Sequence, residues 1–415
     1  MGSYTVKYND GSKVCGSFNV PASKSISNRV LIINALAKAG AKLSNIASCD
    51  DTDVMVKALS QNPSLDKVET IDIGAAGTSM RFLTAYLSNT PGEWLITGTQ
   101  RMKERPISIL VDALRSVGAK IEYAENEGFP PLRIHGTQLE GGSIEIDGSV
   151  SSQYISALMM SAPYMKQGLS IKLLGNIASV PYILMTQSLM KTYGAEVEFS
   201  GDSIKISSKK YDGIDYSVEG DWSGASYWYE ICALTNTDKI ALPYLFKDSL
   251  QGDSVVAKIF EPLGVATEYN KDGVVLTKCS RSSMDIYEFD FIKCPDLAQT
   301  IVATCLALGQ KFRFSGLKSL KIKETDRIAA LIKEFGKLGF VLVETGEGEL
   351  AWLGEMKEAT GESIDTYKDH RMAMAIAPTS AKLGELVIND PMVVTKSYPK
   401  FWDEIGKTGV YSIED

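Results

Sequence analysis

The chain has 415 residues, of which 44% are apolar and 23% charged, and its formal net charge at pH 7 is −8. This length allows two or three domains with a large core, and the composition is ordinary for a soluble globular protein. The acidic balance argues against a nucleic-acid groove or an anionic membrane surface as the main partner.

The N-terminus is polar and has no signal-peptide pattern, and no apolar run has the length of a membrane span. The six cysteines form no Cys-x-x-Cys pair, so we expect reduced thiols in a cytoplasmic protein. The chain has only two histidines, His135 and His370, so we do not expect a histidine-based metal site.

A sequence repeat runs along the whole chain, in which small or polar residues precede an apolar helical pattern six times. These helix starts, called heads below, are Ser23-Lys24-Ser25, Gly77-Thr78-Ser79, Ser151-Ser152-Gln153, Ser223-Gly224-Ala225, Pro295-Asp296-Leu297 and Asp369-His370-Arg371. A second helical pattern begins about 28 residues after each head. Its starts lie near Asp51, Arg105, Pro181, Gly252, Asp326 and Ser397. The near-constant spacing indicates six copies of one structural unit.

Four of the second helices are predicted to end at a left-handed glycine cap. These glycines are Gly118, Gly194, Gly264 and Gly339. Strand-like runs follow at 119–123, 195–199, 265–269 and 340–343. Each unit is therefore predicted to be strand-helix-strand-helix-strand-strand, and six units predict an α/β protein with two similar lobes of three repeats.

The predicted lobes are 21–218 and 1–20 plus 219–415. The first twenty residues contain strand-like runs at 4–8 and 14–20, which precede the first repeat helix. We expect these strands to return and complete the second lobe.

Cations gather at or near the predicted helix starts although the protein is acidic. They are Lys24, Arg29, Arg81, Arg105, Lys323, Arg327, Arg371 and Lys396. Each helix N-terminus adds about 0.3–1 kcal/mol toward an anion, and guanidinium groups add two-point contacts to carboxylate or phosphate. An anion pocket is therefore predicted. The alternative is a set of helix caps and surface ion pairs.

The run Lys323-Glu324-Thr325-Asp326-Arg327 stands directly before an apolar helical pattern. A helical turn here would place Lys323 and Arg327 on one face, with Glu324 in reach of Arg327. Thr325 and Asp326 are expected to cap the helix.

Together, several segments resemble the EPSP synthases (5-enolpyruvylshikimate-3-phosphate synthases) over nearly the whole chain. They are Pro21-Ala22-Ser23-Lys24-Ser25-Ile26-Ser27-Asn28-Arg29, Ala76-Gly77-Thr78-Ser79-Met80-Arg81, Met102-Lys103-Glu104-Arg105-Pro106, Asp147-Gly148-Ser149-Val150-Ser151-Ser152-Gln153-Tyr154, Pro295-Asp296, Lys323-Glu324-Thr325-Asp326-Arg327, Asp369-His370-Arg371-Met372-Ala373 and Thr395-Lys396-Ser397-Tyr398-Pro399. The resemblance implies an inside-out α/β barrel in each lobe and an active site in a cleft that closes on substrates.

The reaction implied by this resemblance is transfer of the enolpyruvyl (1-carboxyvinyl) group of phosphoenolpyruvate to the 5-hydroxyl of shikimate 3-phosphate, with release of phosphate. The N-terminal lobe would mainly bind shikimate 3-phosphate, and the C-terminal lobe would supply phosphoenolpyruvate contacts and catalytic residues. No metal or organic cofactor, no nucleic acid and no membrane partner is implied. The sequence itself is silent on oligomeric state, and a monomer is expected.

The resemblance also implies residue roles. Shikimate 3-phosphate would be bound by Lys24, Ser25, Arg29, Ser151, Ser152, Gln153, Ser179, Tyr182, Asp296, Ser319 and Lys323. Phosphoenolpyruvate would be bound by Lys24, Gly77, Arg105, Gln153, Arg327, Arg371 and Lys396. Asp296 would be the base for the 5-hydroxyl, while Glu324 and Lys24 both stay open as proton donors to the methylene carbon. Capping serines, a capping Asp296 and surface arginines are the structural alternatives.

Three positions depart from the common family pattern: Ala75, Phe82 and Ser319 stand where many relatives have Asn, Pro and Asn. The response to phosphoenolpyruvate-mimicking inhibitors such as glyphosate therefore does not follow from the resemblance. His370 could orient a carboxylate or hydroxyl, and His135 is given no role.

Two other functions compete with this one. A UDP-N-acetylglucosamine enolpyruvyl transferase would share the architecture and the donor, but that family has Lys-Asn where this chain has Lys24-Ser25. It also usually has a loop cysteine in the first lobe, and this chain has no cysteine between Cys49 and Cys232. A non-catalytic ring or clamp on nucleic acid is permitted by the repeats but opposed by the net charge of −8.

Overall fold

The computed structural model describes residues 2–61, 67–149, 151–175, 177 and 180–415. The chain divides into two compact units, which we name by position. The N-terminal unit is Ala22–Val218, and the C-terminal unit combines Met1–Pro21 with Glu219–Asp415.

Strands are distributed along both units. They are β1 Ser3–Tyr8, β2 Val14–Ser17, β3 Leu43–Ser44, β4 Val68–Asp72, β5 Gly92–Thr97, β6 Lys120–Tyr123, β7 Leu132–Gly136, β8 Gly142–Asp147, β9 Leu169–Leu174, β10 Val197–Ser200, β11 Ser203–Ile206, β12 Tyr216–Ser217, β13 Thr237–Pro243, β14 Val265–Tyr269, β15 Gly273–Lys278, β16 Ile286–Asp290, β17 Lys311–Ser315, β18 Val343–Gly346, β19 Glu349–Trp352, β20 Leu386–Asn389 and β21 Tyr411–Glu414.

Helices alternate with these strands. They are α1 Lys24–Ala37, α2 Asp50–Leu59, α3 Gly77–Ser88, α4 Gln100–Lys103, α5 Ser108–Ser116, α6 Ser152–Ser161, α7 Val180–Thr192, α8 Trp222–Leu234, α9 Val256–Phe260, α10 Ala298–Ala307, α11 Arg327–Lys337, α12 His370–Ile376, α13 Ser380–Leu383 and α14 Phe401–Gly406. Short 3-10 turns are formed by Ala162–Tyr164, Gly252–Val255, Pro295–Leu297, Lys318–Ile322, Ala377–Thr379 and Pro391–Lys396.

Four sheets repeat one topology. In the N-terminal unit their orders are β4-β5-β7-β6 and β8-β9-β11-β10, and in the C-terminal unit they are β2-β13-β15-β14 and β16-β17-β19-β18. Each sheet begins with a parallel pair, and its other two pairings are antiparallel. In three of the sheets the parallel pair is joined through the first helix of a repeat, as a strand-helix-strand crossover requires. In the fourth sheet β2 and β13 pair in parallel although the whole N-terminal unit lies between them in the chain.

The remaining strands complete each unit. In the N-terminal unit β3 pairs in parallel with β12. In the C-terminal unit β1 lies between β20 and β21 and pairs antiparallel with both, while β2 joins β13. The first strands of the chain therefore lie in sheets built mostly from its second half.

The first helix of each repeat is buried. In the N-terminal unit α1, α3 and α6 pack against one another, and in the C-terminal unit α10 packs against α8 and α12. Every residue of α8 and of α12 is buried, so these helices are enclosed on all sides and have no solvent-exposed face. Burying each large side chain here contributes about 1.5–3 kcal/mol, which favours a fold with helices at the centre of each unit.

Glycine caps end the second helices as predicted. The φ angles of Gly118, Gly194, Gly264 and Gly339 are 102°, 80°, 97° and 95°. A side chain with a Cβ is strained in this left-handed region, so the predicted caps are confirmed.

Some predicted boundaries are wrong. The run 340–343 was expected to be a strand, but β18 begins at Val343, and Phe340 forms only an isolated bridge with Met356. The second helix expected near Gly252 begins as a 3-10 turn, and the one expected near Ser397 begins at Phe401.

Among the described residues, none of the helices combines the length and the apolar character needed to cross a membrane. The same residues contain no group of three His, Cys, Asp or Glu side chains placed to bind a metal ion.

Candidate active site

Arg29 is the central cation of the N-terminal unit. It lies on α1, is 2% exposed, and donates from Nε to Thr186 Oγ1 at 2.7 Å and from Nη2 to Ser156 Oγ at 3.2 Å. A third bond runs from Nη1 to the carbonyl of Ser25 at 2.8 Å. The ring of Tyr182 lies 5.8 Å from Cζ, so α1, α6 and α7 all hold this side chain.

No carboxylate lies within ion-pair distance of Arg29 among the described residues. Burial lowers the pKa of Arg29 to about 10, which still leaves the guanidinium charged at neutral pH. A buried cation that has only neutral partners is costly, and an anionic ligand would offset that cost.

Lys24 begins α1 beside Arg29, and its Nζ lies 3.2 Å from Asp51 Oδ2 at the start of α2. Asp51 is buried. The sequence indicated Asp51 only as a helix start, so this ion pair was missed. Acidic residues in the first turn of a helix are common, and nothing in the sequence pattern set this one apart.

The head of α6 carries three predicted substrate residues. Ser151 caps the helix by accepting a bond from the Gln153 backbone N–H at 3.3 Å, and Ser152 is the first helical residue. Gln153 Nε2 donates to Thr78 Oγ1 at 3.2 Å and thereby joins the heads of α6 and α3. The capping alternative therefore holds for Ser151, without excluding a ligand contact by its hydroxyl. Ser179, another predicted contact, lies outside the described residues.

Gly77 and Arg105 approach each other closely. A Cβ placed on Gly77 would lie 2.4 Å from Arg105 Nη1, so the guanidinium packs directly over this glycine. Because Gly77 has no side chain, the Arg105 guanidinium can lie against the backbone at the start of α3. Arg81 is also buried, and it donates to the carbonyls of Gly77 and Pro106, both at 3.2 Å.

Arg327 is the central cation of the C-terminal unit. It is the first residue of α11 and is 1% exposed. Its guanidinium donates to Asp369 at 2.7 and 3.3 Å, to Asp296 at 3.0 Å and to Glu324 at 3.0 Å. Burial alone would lower the pKa of Arg327. The negative charges of Asp369, Glu324 and Asp296 outweigh that effect and raise the pKa above its ordinary value.

The helix that begins at Arg327 corrects one sequence argument. Lys323 lies before the helix, at the end of the turn Lys318–Ile322, so Lys323 and Arg327 do not share a helical face. Asp326 caps α11 by accepting from the Ala329 backbone N–H at 3.0 Å, as predicted. Ser319 is half-buried within the same 3-10 turn.

Asp369 stands in a predicted head, but the sequence did not indicate its contact with Arg327. Its carboxylate holds Arg327 and also caps α12, where it accepts from the Arg371 backbone N–H at 3.0 Å. It therefore positions two predicted phosphoenolpyruvate-binding arginines. Its place in Asp369-His370-Arg371 and the preference for Asp at helix caps were the available signals. The neighbouring His370 is buried, with Nδ1 at 3.7 Å from Asp369 Oδ1.

Asp296 lies among three cations. Its oxygens are 3.0 Å from Arg327 Nη1, 3.3 Å from Arg371 Nη2 and 3.8 Å from Lys323 Nζ. Burial opposes its ionisation, but these cations more than compensate and hold the pKa of Asp296 well below its ordinary value. The group is a carboxylate at neutral pH.

Glu324 connects two of the predicted cations. One oxygen accepts from Arg327 Nη2 at 3.0 Å, and the other lies 2.6 Å from Lys396 Nζ. Arg371 also reaches Tyr227, whose hydroxyl accepts from Nη1 at 3.4 Å. Lys396 itself ends the turn Pro391–Lys396 and is buried.

Within the C-terminal unit this cluster holds one more cation than carboxylate. Its members are Lys323, Arg327, Arg371, Lys396, Asp296, Glu324 and Asp369. A small polyanion could displace carboxylates from the arginines and pair with them instead. The other histidine, His135, lies on β7 and pairs with Glu93 of β5 at 2.7 Å.

Comparisons with known proteins cover nearly the whole chain. A family model described as EPSP synthase (3-phosphoshikimate 1-carboxyvinyltransferase) matches residues 8–62 and 60–405. A protein named 3-phosphoshikimate 1-carboxyvinyltransferase from Bacteroides fragilis is 52% identical over 400 residues, covering 96% of each chain. Another of that name, from Aliivibrio fischeri, is 37% identical over 418 residues and covers 95% of this chain and 97% of its own.

The fold has solved counterparts. A structure of EPSP synthase from Acinetobacter baumannii superposes with a TM-score of 0.79 at 20% sequence identity, covering 100% of both chains. At this identity the likeness concerns the fold alone. It confirms the α/β fold class with two similar lobes that the repeats predicted.

Proposed function

This chain belongs to the EPSP synthase family, and we propose that it transfers the 1-carboxyvinyl group of phosphoenolpyruvate to the 5-hydroxyl of shikimate 3-phosphate. The family membership supports the reaction. Within the structure, the observation that carries the proposal is Arg29, a buried cation with no carboxylate partner among the described residues. Such a site gains most from a ligand that brings its own negative charge.

Shikimate 3-phosphate would place its phosphate or ring hydroxyls against Arg29, Ser25 and the head of α6. Ser151, Ser152 and Gln153 offer hydroxyl and amide groups at a helix N-terminus, where the dipole favours an anion. In the C-terminal unit Lys323 and Asp296 would contact the same substrate. Ser319 is shorter than the usual Asn, so a contact from it would need a bridging water.

Phosphoenolpyruvate carries a carboxylate and a phosphate, and the proposed cations match both groups. Arg327 and Arg371 present guanidinium groups held in place by carboxylates, and Lys396 would neutralise the departing phosphate. Arg105 over Gly77, together with Lys24 and Gln153, would complete this set.

The proposed reaction is an addition followed by an elimination. The 5-oxygen forms a bond to C2 of phosphoenolpyruvate, its proton passes to Asp296, and C3 gains a proton to become a methyl group. In the second step C3 loses a proton and the bond from C2 to the phosphate oxygen breaks. The products are an enol ether and inorganic phosphate.

Asp296 is suited to be the base only once phosphoenolpyruvate is bound. With three cations around it, its pKa lies well below the ordinary value, which makes it a weak base. The carboxylate and phosphate of phosphoenolpyruvate would compete with Asp296 for Arg327 and Arg371, so less positive charge would act on Asp296. Its pKa would then rise toward the range in which a carboxylate removes a proton effectively.

Proton delivery to C3 is assigned to Glu324 or Lys24. Glu324 lies between Arg327 and Lys396, and Lys24 is paired with Asp51. Both side chains have a charged partner that a bound anion would disturb, so each remains a candidate for one of the two steps.

The test measures phosphate release with each substrate alone and with both together. We expect release only with the pair, and Asp296→Asn should lower the rate by a factor of about 10² to 10⁴. The matched control is Asp285→Asn, because the side chain of Asp285 is 84% exposed, and it should keep the wild-type rate. Release with UDP-N-acetylglucosamine in place of shikimate 3-phosphate would overturn the proposal in favour of the related transferase.

A further inference from the structure

Glu334 is a fully buried carboxylate on α11 that none of the roles above uses. It follows Arg327 by about two helical turns, so both side chains lie on one face of the helix. Its oxygens accept hydrogen bonds from the Tyr367 hydroxyl and, at 2.9 Å, from the Asp365 backbone N–H. Lys337 Nζ lies 2.7 Å from the same carboxylate. Glu334 therefore attaches the segment 365–367 to α11.

The same segment is also held from the side of β20. Asn389, the last residue of β20, donates from Nδ2 to Asp365 Oδ1 at 2.8 Å. Thr366 Oγ1 donates to the Asn389 carbonyl at 3.0 Å, and the Thr366 carbonyl accepts from the Asp369 backbone N–H at 2.8 Å. The segment that leads to the head of α12 thus has contacts with both α11 and β20.

Two residues of this segment have a strained backbone. Tyr367 and Lys368 have φ angles of 54° and 56°, although neither is a glycine. Side chains with a Cβ seldom adopt this left-handed region, and such residues persist only where surrounding contacts hold them. They stand directly before Asp369, whose carboxylate holds Arg327 and caps α12 at Arg371. The conformation of this turn therefore decides where Asp369 lies.

We propose that Glu334 is a positioning residue that acts through Tyr367 on the place of Asp369. The groups that it positions are the guanidinium of Arg327 and the start of α12 at Arg371. This inference rests on the proposed function, because it takes these two arginines as the phosphoenolpyruvate site. Without the bond to Glu334, the left-handed turn loses its side-chain anchor on α11, and Asp369 moves relative to Arg327. In the competing account, Glu334 only balances the charge of a buried lysine.

The experiment compares Tyr367→Phe with the wild type in steady-state kinetics with both substrates. Phenylalanine keeps the ring, including its place 5.6 Å from Lys333 Nζ, and removes only the hydroxyl that bonds to Glu334. We expect KM for phosphoenolpyruvate to rise about three- to tenfold, since a 1 Å misplacement can cost about 10²-fold in rate. KM for shikimate 3-phosphate should stay nearly unchanged, because that substrate is assigned mainly to the N-terminal unit.

The matched control is Tyr287→Phe in the same unit. Tyr287 lies on β16, is 8% exposed, and donates its hydroxyl to the Ile259 carbonyl at 3.0 Å. This variant also loses one tyrosine hydrogen bond, so its Tm should fall by a similar amount, while both KM values should stay at the wild-type level. The control separates a general loss of stability from a displacement of the arginines.

An unchanged KM for phosphoenolpyruvate in Tyr367→Phe would overturn the inference. An equal rise in Tyr287→Phe, or an equal rise in the KM of both substrates, would do the same. If Tyr367→Phe does not fold, Glu334→Asp decides. Its shorter side chain keeps the negative charge near Lys337 but withdraws from Tyr367, so it should raise the same KM, and an unchanged value contradicts the inference. Failure of the proposed function looks different, because the wild type would then release no phosphate from the substrate pair.

Discussion

Asp369→Asn is predicted to destabilise the C-terminal unit and to weaken the binding of phosphoenolpyruvate. Asp369 makes two bonds to the buried Arg327 guanidinium and one to the first turn of α12. Asparagine has nearly the same shape and caps helices well, so the bond to the Arg371 backbone is expected to remain. The substitution therefore removes mainly the negative charge from beside Arg327.

The size of the effect follows from the burial of the pair. Removing one partner of a buried ion pair costs about 3–5 kcal/mol. Arg327 keeps Asp296 and Glu324 at 3.0 Å each, which places the expected cost at the lower end, about 3 kcal/mol. For a domain of this size each kcal/mol lowers the Tm by about 2–4 °C, so we expect a fall of about 6–12 °C.

Thermal unfolding followed by calorimetry is the assay, with Asp326→Asn as the matched control. Asp326 caps α11 by accepting one backbone hydrogen bond at 3.0 Å. Among the described residues it has no ion pair within 4 Å. That control should cost less than about 1 kcal/mol. Equal losses in both variants would refute the reasoning, since capping alone would then explain the role of Asp369.

Three further predictions concern Gly77, Arg29 and the buried carboxyl group of Asp253. Gly77→Ala should push the Arg105 guanidinium away and raise KM for phosphoenolpyruvate severalfold, whereas Gly406→Ala, which meets no atom within 4 Å, should leave KM unchanged. Arg29→Met should abolish the stabilisation by shikimate 3-phosphate, which in the wild type reaches about 2.7 kcal/mol at a ligand concentration of 100 Kd; a retained thermal shift would contradict this. Because the folded-state pKa of Asp253 is raised from 3.8 to about 7, the folded protein binds the extra proton in that window. Its free energy of unfolding should fall by up to a few kcal/mol as pH rises from about 4 to 7, and Asp253→Asn should flatten that dependence in denaturant titrations.

The repeats and the helix heads could be predicted from the sequence because they depend on local signals. A left-handed glycine after a helix, as at Gly118 or Gly264, marks its position without knowledge of the fold. The constant distance between first and second helices then gave the number of units. Boundaries such as the start of β18 were less certain, since short apolar runs do not distinguish a strand from a connecting loop.

The contacts between elements could not be predicted in the same way. Asp369 lies 42 residues from Arg327, and Asp51 meets Lys24 only because α1 and α2 pack together. The sequence showed cations at the heads but not which carboxylate balances each one. It therefore gave no reason to separate Arg29, which has neutral partners, from Arg327, which has three acidic ones. The substrate roles of these residues stay predictions.

The most direct test of the central claim is a ³¹P NMR time course with phosphoenolpyruvate and shikimate 3-phosphate together. We expect the phosphoenolpyruvate resonance to be replaced by that of inorganic phosphate, while the 3-phosphate resonance only shifts because its ring gains an enol ether. The two changes should proceed at one rate, and neither should occur with one substrate alone. Release of the 3-phosphate, or loss of phosphoenolpyruvate without any change in the acceptor, would contradict the transfer.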